Sequence, residues 1–372
     1  MLRYILAVLI VALLITLSVA VAQRSDTPTQ ASVLAGAEAA PTPACCVPCC
    51  IVICTPVTAP TLTATPEPTV TQTATPTPTA TGTATPANTL MPSAIQTSPK
   101  KGVAGGFARD EVELQSLLDQ TGATWFYSWI LGSNTQWRAG VEFVPMLRTE
   151  LEMHKSQIRF IINTRGYHGG YWLIGNEPDN SLQDSLTYAQ AADKYGQILY
   201  YIRSLDPTAR FIMPGLVEPK TPWLRQFIAA WVAQWGEEPP VAGWSLHMYP
   251  FPKGDETVGQ ARDRLLLWLS GWIKDHPGKE CWVTEFGELG THDQQTIADT
   301  MVRFGNAFED MPGVTRYAFF WLGSYMERGW DYTSLFVWED GVPEATGLLP
   351  YYQQVPMAEG LRLDTSMGLR LD

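Results

Sequence analysis

Two glutamates close apolar runs in this chain. Tyr171-Trp172-Leu173-Ile174-Gly175 leads into Asn176-Glu177-Pro178-Asp179, and Cys281-Trp282-Val283-Thr284 leads into Glu285-Phe286-Gly287. Each pattern reads as a buried strand that delivers a carboxylate to the edge of a core and then turns, at Pro178 or at Gly287. One carboxyl group that protonates a leaving oxygen, with an ionised one about 5–5.5 Å away that attacks carbon, is the equipment for breaking a sugar bond with retention. A single glutamate is a weak signal. Two at the ends of apolar strands make a functional pair the better reading than two surface loop residues, provided one sheet brings them together.

From Lys101 onward the chain supplies such a sheet. Short apolar runs at 103–107, 123–130, 142–147, 171–175, 210–214, 242–249, 280–286 and 315–322 read as strands, with helical segments between most of them. Asp110 with Glu113 predicts a helix start, followed by Leu114, Leu117, Leu118 and a stop at Gly122. Thr221-Pro222 opens another helix, and Ala189, Ala192, Tyr195, Leu199 and Ile202 mark a third. The stretch 149–168 is the most poorly patterned link. Strands alternating with helices over about 250 residues match a (β/α)8 TIM barrel, where chemistry sits at the C-terminal strand ends. An open doubly wound sheet is the competitor, but Gly102-Val103-Ala104-Gly105-Gly106 does not make a phosphate-binding G-x-G-x-x-G loop. On this count Glu177 ends the fourth strand and Glu285 the seventh. A hairpin is expected around 335–341 and a last helix from about Leu348.

The rest of the chain sets context. A formal net charge of -12 offers no basic patch for nucleic acid. Arg3, the apolar residues 5–17 and Ala20-Val21-Ala22 form an export signal. The apolar span of about 19 residues is also close to the roughly 20 that cross a bilayer, so cleaved signal and retained anchor both stand. Residues 23–99 read as a disordered linker, Thr- and Pro-rich beyond Thr55. Five of the six cysteines lie in Cys45-Cys46-Val47-Pro48-Cys49-Cys50-Ile51-Val52-Ile53-Cys54. In an exported chain, disulfides within this cluster or between chains are a plainer reading than a metal site. Cys281 is expected to be a buried strand residue. The domain plan is therefore 1–22 signal or anchor, 23–99 linker, 100–355 barrel and 356–372 tail, extracellular, either secreted or held by a membrane or cell-wall tether.

Several stretches together resemble a known family. Gly122-Ala123-Thr124-Trp125-Phe126-Tyr127-Ser128-Trp129, Glu142-Phe143-Val144-Pro145-Met146-Leu147, Gly175-Asn176-Glu177-Pro178-Asp179, His247-Met248-Tyr249-Pro250 and Trp282-Val283-Thr284-Glu285-Phe286-Gly287 are similar, in this order, to the glycosyl hydrolase catalytic core proteins of glycoside hydrolase family 128, in clan A. The resemblance runs from about 101 to 352. It implies β-1,3-glucan as substrate, Glu177 as acid/base, Glu285 as nucleophile and Asn176 as a ligand of a sugar hydroxyl. Ser128 stands where that family often has asparagine and Arg148 where it often has tryptophan, so the sugar subsites are expected to differ. His247 and Tyr249 share strand parity and can both face the barrel mouth, the tyrosine hydroxyl bonding Glu285. His247 is read equally as a substrate contact or a core histidine. Trp129 and Trp321, closing the second and eighth strands, are expected to line the sugar site. No cofactor or metal is implied, because two carboxylates suffice, and the catalytic domain is expected to be monomeric. Another β-glycan (xylan, mannan or β-1,4-glucan) and a non-catalytic carbohydrate-binding protein are the alternatives.

Overall fold

The computed structural model describes residues 94–219, 221–326 and 329–357. The export segment, the cysteine cluster, the Thr/Pro-rich stretch and most of the tail lie outside the described residues. Among the described residues no helix is long and apolar enough to cross a membrane.

Nine parallel segments form one curled sheet. In chain order they are β1 (Lys101–Ala104), β2 (Trp125–Tyr127), β3 (Glu142–Phe143), β4 (Met146–Leu147), β5 (Tyr171–Ile174), β6 (Arg210–Val217), β7 (Gly243–Met248), β8 (Glu280–Phe286) and β9 (Val314–Phe320). They are ordered β3-β2-β1-β9-β8-β7-β6-β5-β4. All eight expected strands are present, and the third is split into β3 and β4 around Val144-Pro145. Pro145 has no N–H to give to a ladder. The two ends of the sheet are therefore two residues apart in the chain. Val144 N–H donates to Phe126 O at 2.9 Å on one side, and Leu173 N–H to Pro145 O at 3.0 Å on the other. The result is an α/β fold consistent with a TIM-like barrel.

Helices alternate with the strands: α1 (Glu111–Thr121), α2 (Asn134–Arg138), α3 (Leu151–Arg159), α4 (Tyr188–Leu205), α5 (Thr221–Trp235), α6 (Val258–Asp275) and α7 (Gln294–Asp310). The Asp110 side chain accepts from Glu113 N–H, and Gly122 closes α1 in the left-handed region, as the sequence predicts. Along α4 the buried face takes Ala191 with Ala192, Tyr195, Leu199 and Ile202, while Ala189 is exposed. The poorly patterned stretch does form a helix. It buries only Leu151 and Ile158, then widens into a π-helical turn at Phe160–Thr164. The hairpin is β10 (Phe336–Glu339) with β11 (Val342–Ala345), turned at Asp340 and Gly341, both at positive φ, and α8 (Leu349–Gln353) follows Leu348.

Strand alternation divides the core in two. Trp125, Tyr127, Tyr171, Leu173, Ile212 and Trp282 fill the inside of the curled sheet, while Phe126, Trp172, Ile174, Cys281 and Val283 pack outward among the core residues shared with the helices. Cys281 is thus a buried strand residue with no disulfide partner among the described residues. The N-terminal end of the inner core is plugged by Arg316, whose guanidinium lies over Trp282 (4.6 Å), Tyr171 (5.1 Å) and Trp125 (5.4 Å) and pairs with Glu142 at 2.8 Å. Residues that composition assigns to the linker also belong to this fold. Gln96 N–H donates to Gln353 O, and the Ser98 hydroxyl donates to Glu309. Buried Lys101 donates to Gln96 O at 2.9 Å and to Tyr352 O at 2.8 Å, and so ties the segment before β1 and the helix α8 to that strand.

Candidate active site

Glu285 reaches the site because β8 is irregular. Cys281 and Val283 point outward, so strict alternation would turn Glu285 outward with them. The register between β7 and β8 instead runs Leu246↔Val283 and then His247↔Glu285, skipping Thr284. One extra residue reverses the parity and brings Glu285 inside, opposite His247.

Glu177 lies beyond the end of β5, in a turn rather than on the strand. Gly175 takes φ 83°, and Glu177 itself takes φ 48°. The Glu177 N–H donates to Gly215 O at 2.9 Å, at the point where the β6–β7 register also shifts. Five non-glycine residues among those described have positive φ, and two of them are Glu177 and Trp129. Backbone held in that region needs surroundings that impose it, and such residues cluster at functional sites.

The two carboxylates are bridged by one imidazole. Nδ1 of His247 lies 2.7 Å from Oε1 of Glu177 and 3.3 Å from Oε2 of Glu285. One nitrogen and one oxygen from each glutamate all lie within 4.8 Å of one another. All three residues are buried. Burial alone pulls the imidazole pKa down. The Glu285 charge, the Glu177 hydrogen bond and charge, and the Asp179 charge outweigh burial and hold it above the ordinary value.

Donors surround the pair. Trp129 Nε1–H donates to Glu285 Oε1 at 2.8 Å, Tyr127 O–H to the same oxygen at 3.1 Å, and Tyr249 O–H to Oε2 at 2.7 Å. Burial, then the Glu285 charge, pushes both phenols well above their ordinary pKa, so they remain donors. Asn180 Nδ2 donates to Glu177 Oε2 at 2.7 Å. Glu177, His247 and Glu285 are also the one trio among the described residues with three ligand atoms close enough for a metal. The N–H and O–H groups converging on Glu285 turn positive dipole ends toward that point, which suits a carboxylate held by protons better than one shared with a cation.

The predicted site residues separate into three groups. Glu177, Glu285, His247 and Tyr249 meet, and the Tyr249 bond to Glu285 is the one strand parity suggests. Asn176 is buried beside them with its N–H on Asp184 at 2.8 Å and its Oδ1 without a partner among the described residues. The two tryptophans are placed differently, Trp129 also lining a cleft beside the pair. Trp129 binds Glu285 through its N–H, and Trp321 is buried against Phe320 with its N–H directed to Trp330 O. Ser128 is buried, and its hydroxyl has no hydrogen-bond partner among the described residues. Sequence reasoning missed Tyr127, although it shares parity with Trp129. It also missed Asn180 and Asp184, whose roles come from a loop with no periodic signal.

The model of the glycosyl hydrolase catalytic core family matches residues 106–352. Among solved structures, the chain is similar to a subgroup II endo-β-1,3-glucanase of glycoside hydrolase family 128 from Pseudomonas viridiflava. Identity is 25%, coverage 71% of this chain and 100% of that one, and the TM-score 0.53. A subgroup I endo-β-1,3-glucanase from Amycolatopsis mediterranei, in complex with laminaritriose, matches at 24% identity over 69% and 99%, TM-score 0.51. A curdlan-specific exo-β-1,3-glucanase (subgroup III) from Blastomyces gilchristii matches at 20% over 69% and 100%, TM-score 0.51. Comparison with curated proteins finds no match. With its paired buried glutamates and its match to the family model, the chain belongs to the glycosyl hydrolase catalytic core family and is a glycoside hydrolase.

Proposed function

We propose that this protein hydrolyses β-1,3-glucan with retention, using Glu177 as acid/base and Glu285 as nucleophile. The observation that carries the reading is the separation within 4.8 Å of carboxylate oxygens from the two glutamates. Oxygens this close, on carboxylates that share one imidazole, suit the ~5–5.5 Å carboxyl spacing of retaining enzymes better than the ~6.5–9.5 Å that leaves room for an attacking water. The substrate class follows the β-1,3-glucanases to which the chain is similar.

In the first step Glu285 attacks the anomeric carbon, the glycosidic C–O bond breaks, and the Glu177 proton passes to the leaving oxygen. The product is a glycosyl ester on Glu285. In the second step Glu177 takes a proton from water, the water oxygen attacks the same carbon, and the Glu285 carboxylate leaves. The donors from Trp129, Tyr127 and Tyr249 hold the orientation of the Glu285 carboxylate that both begins and ends this cycle. Asn176, beside Glu177, is the candidate ligand of a sugar hydroxyl.

The curled sheet is read as a closed (β/α)8 barrel, supported by bonds from Val144 and Pro145 to both neighbouring segments. The barrel acts as an exported monomer, either released or tethered through residues 1–22, with the Thr/Pro-rich stretch as a spacer.

The test is hydrolysis of a panel of β-1,3-glucan, β-1,4-glucan, xylan and mannan by the native protein, Glu177→Gln and Glu285→Gln. Products from β-1,3-glucan that vanish in both variants are expected, with proton NMR showing the β-anomer first. Binding without products would sink the reading, and an α-anomer first would remove Glu285 as nucleophile.

A further inference from the structure

Beside the catalytic pair a cleft of about 960 Å³ opens between the segment after β2, the end of β4 with α3, and the loop 182–184. Neither glutamate lines it, but residues bonded to the site form part of its wall. Trp129 holds Glu285, and Gln183 and Asp184 hold Asn176.

Arg148 stands in that wall. Its Nε donates to Asp184 Oδ1 at 2.5 Å and its Nη2 to Gln183 Oε1 at 3.2 Å. Asp184, with a side chain only 2% exposed, also accepts from Asn176 N–H and from the Tyr195 hydroxyl, each at 2.8 Å. A carboxylate held by three donors cannot swing, so the guanidinium it anchors has a fixed orientation. Arg148 keeps 20% side-chain exposure, and these two bonds use only two of its five N–H donors.

The charges around it indicate what it binds. Asp184 neutralises Arg148, and the other charged groups of the wall, Glu150 and Arg165, are opposite in sign. Burial lowers the pKa of neighbouring His154 and favours its neutral form. Met153 and Phe160, both exposed, add apolar surface of the kind that meets the C–H face of a sugar ring. Because Asp184 already supplies the carboxylate that a guanidinium fork pairs with, the remaining donors in this charge-balanced cleft suit hydroxyl groups better than a second anion.

We propose that Arg148, clamped by Asp184, is a substrate-binding residue that hydrogen-bonds hydroxyls of an uncharged glycan chain running from the cleavage point along this cleft. The proposal rests on the glycanase reading above.

Its test uses the full chain, neutral β-1,3-gluco-oligosaccharides of increasing length, and the variants Arg148→Ala and Arg148→Lys. KM is expected to rise about tenfold in Arg148→Ala, more on longer substrates, with kcat within about threefold of native and partial recovery in Arg148→Lys. A fall in kcat at unchanged KM overturns the proposal, because Arg148 would then only brace the Asn176–Glu177 turn. Calorimetric titration of Glu177→Gln/Glu285→Gln, with and without Arg148→Ala, separates binding from turnover. An affinity loss of about tenfold supports the proposal even if the native protein hydrolyses none of these glucans, in which case only the reaction reading fails. Unchanged affinity alongside normal hydrolysis removes Arg148 alone. Tighter binding of a carboxylated glycan than of a neutral one overturns the assigned ligand class.

Discussion

The indole N–H of Trp129 donates to Oε1 of Glu285 across 2.8 Å. The tryptophan is held at φ 54° and packed by Phe107, Tyr127 and Phe320, so its donor is aimed before any substrate arrives. A hydrogen bond to a charged group contributes about 1.5–3 kcal/mol. Trp129→Phe keeps an apolar ring and loses the donor. We predict a fall in kcat/KM of roughly 10- to 100-fold, read from initial rates on a β-1,3-gluco-oligosaccharide. A kcat/KM within about threefold of native would show that this bond does not hold the glutamate for the reaction.

His247 should make stability depend on pH. Its folded pKa is raised by the two glutamates against the opposing effect of burial. Its contribution is therefore fully present below about pH 6.5, the ordinary histidine value, and is lost as pH rises through the folded value. The melting-temperature gap between the native protein and His247→Asn is predicted to shrink from about pH 5.5 to about pH 8.5. The glutamates are common to both proteins, so a gap that stays constant would mean that His247 does not titrate in this way.

Lys101 has the opposite sign. Burial lowers its pKa to about 7, against a smaller raising effect from Glu309. The unfolded chain then holds the proton more tightly, so this contribution is fully present above about pH 10.4 and is lost as pH falls toward 7. The limit is about 5 kcal/mol. Relative to Lys101→Met, the native protein is predicted to gain stability between about pH 7 and pH 9, measured by denaturant unfolding at each pH. Parallel pH curves for the two proteins would refute it.

Gly175 has φ 83°, and a Cβ there would lie 2.4 Å from Cζ of buried Tyr195. Tyr195 holds Asp184, which holds the Asn176 N–H. Gly175→Ala is predicted to cost about 2–4 kcal/mol from strain and overpacking together, and to lower kcat by displacing the turn that carries Glu177. Gly236→Ala, with φ 77° and nothing within 4 Å of the added Cβ, is the control. It should cost only about 1–2 kcal/mol and leave kinetics unchanged. Equal losses in the two variants would show that contact with Tyr195 is unimportant.

The sequence by itself determined the elements and the chemical types. Alternating apolar runs located every segment of the sheet, because each strand interior carries its own burial pattern, and the Asp110–Glu113 spacing marked a helix start. Apolar runs ending in acids and turns identified Glu177 and Glu285, and the shared parity of His247 and Tyr249 placed the phenol on Glu285. Pro145 is visible in the sequence, but the two-part strand it causes appears only when both neighbours pair around it.

Tertiary structure alone decided how these pieces meet. Parity counted along β8 points Glu285 away from the site. The skipped residue at Thr284, a property of pairing between two strands, turns it back. Trp129 became a donor to Glu285 in the wall of the cleft, and Trp321 packs against Phe320, because ring orientation depends on neighbours distant in sequence. Asp184 has no local signal at all. Its role exists only where Arg148, Asn176 and Tyr195 converge, and a convergence of side chains has no period for a sequence to display.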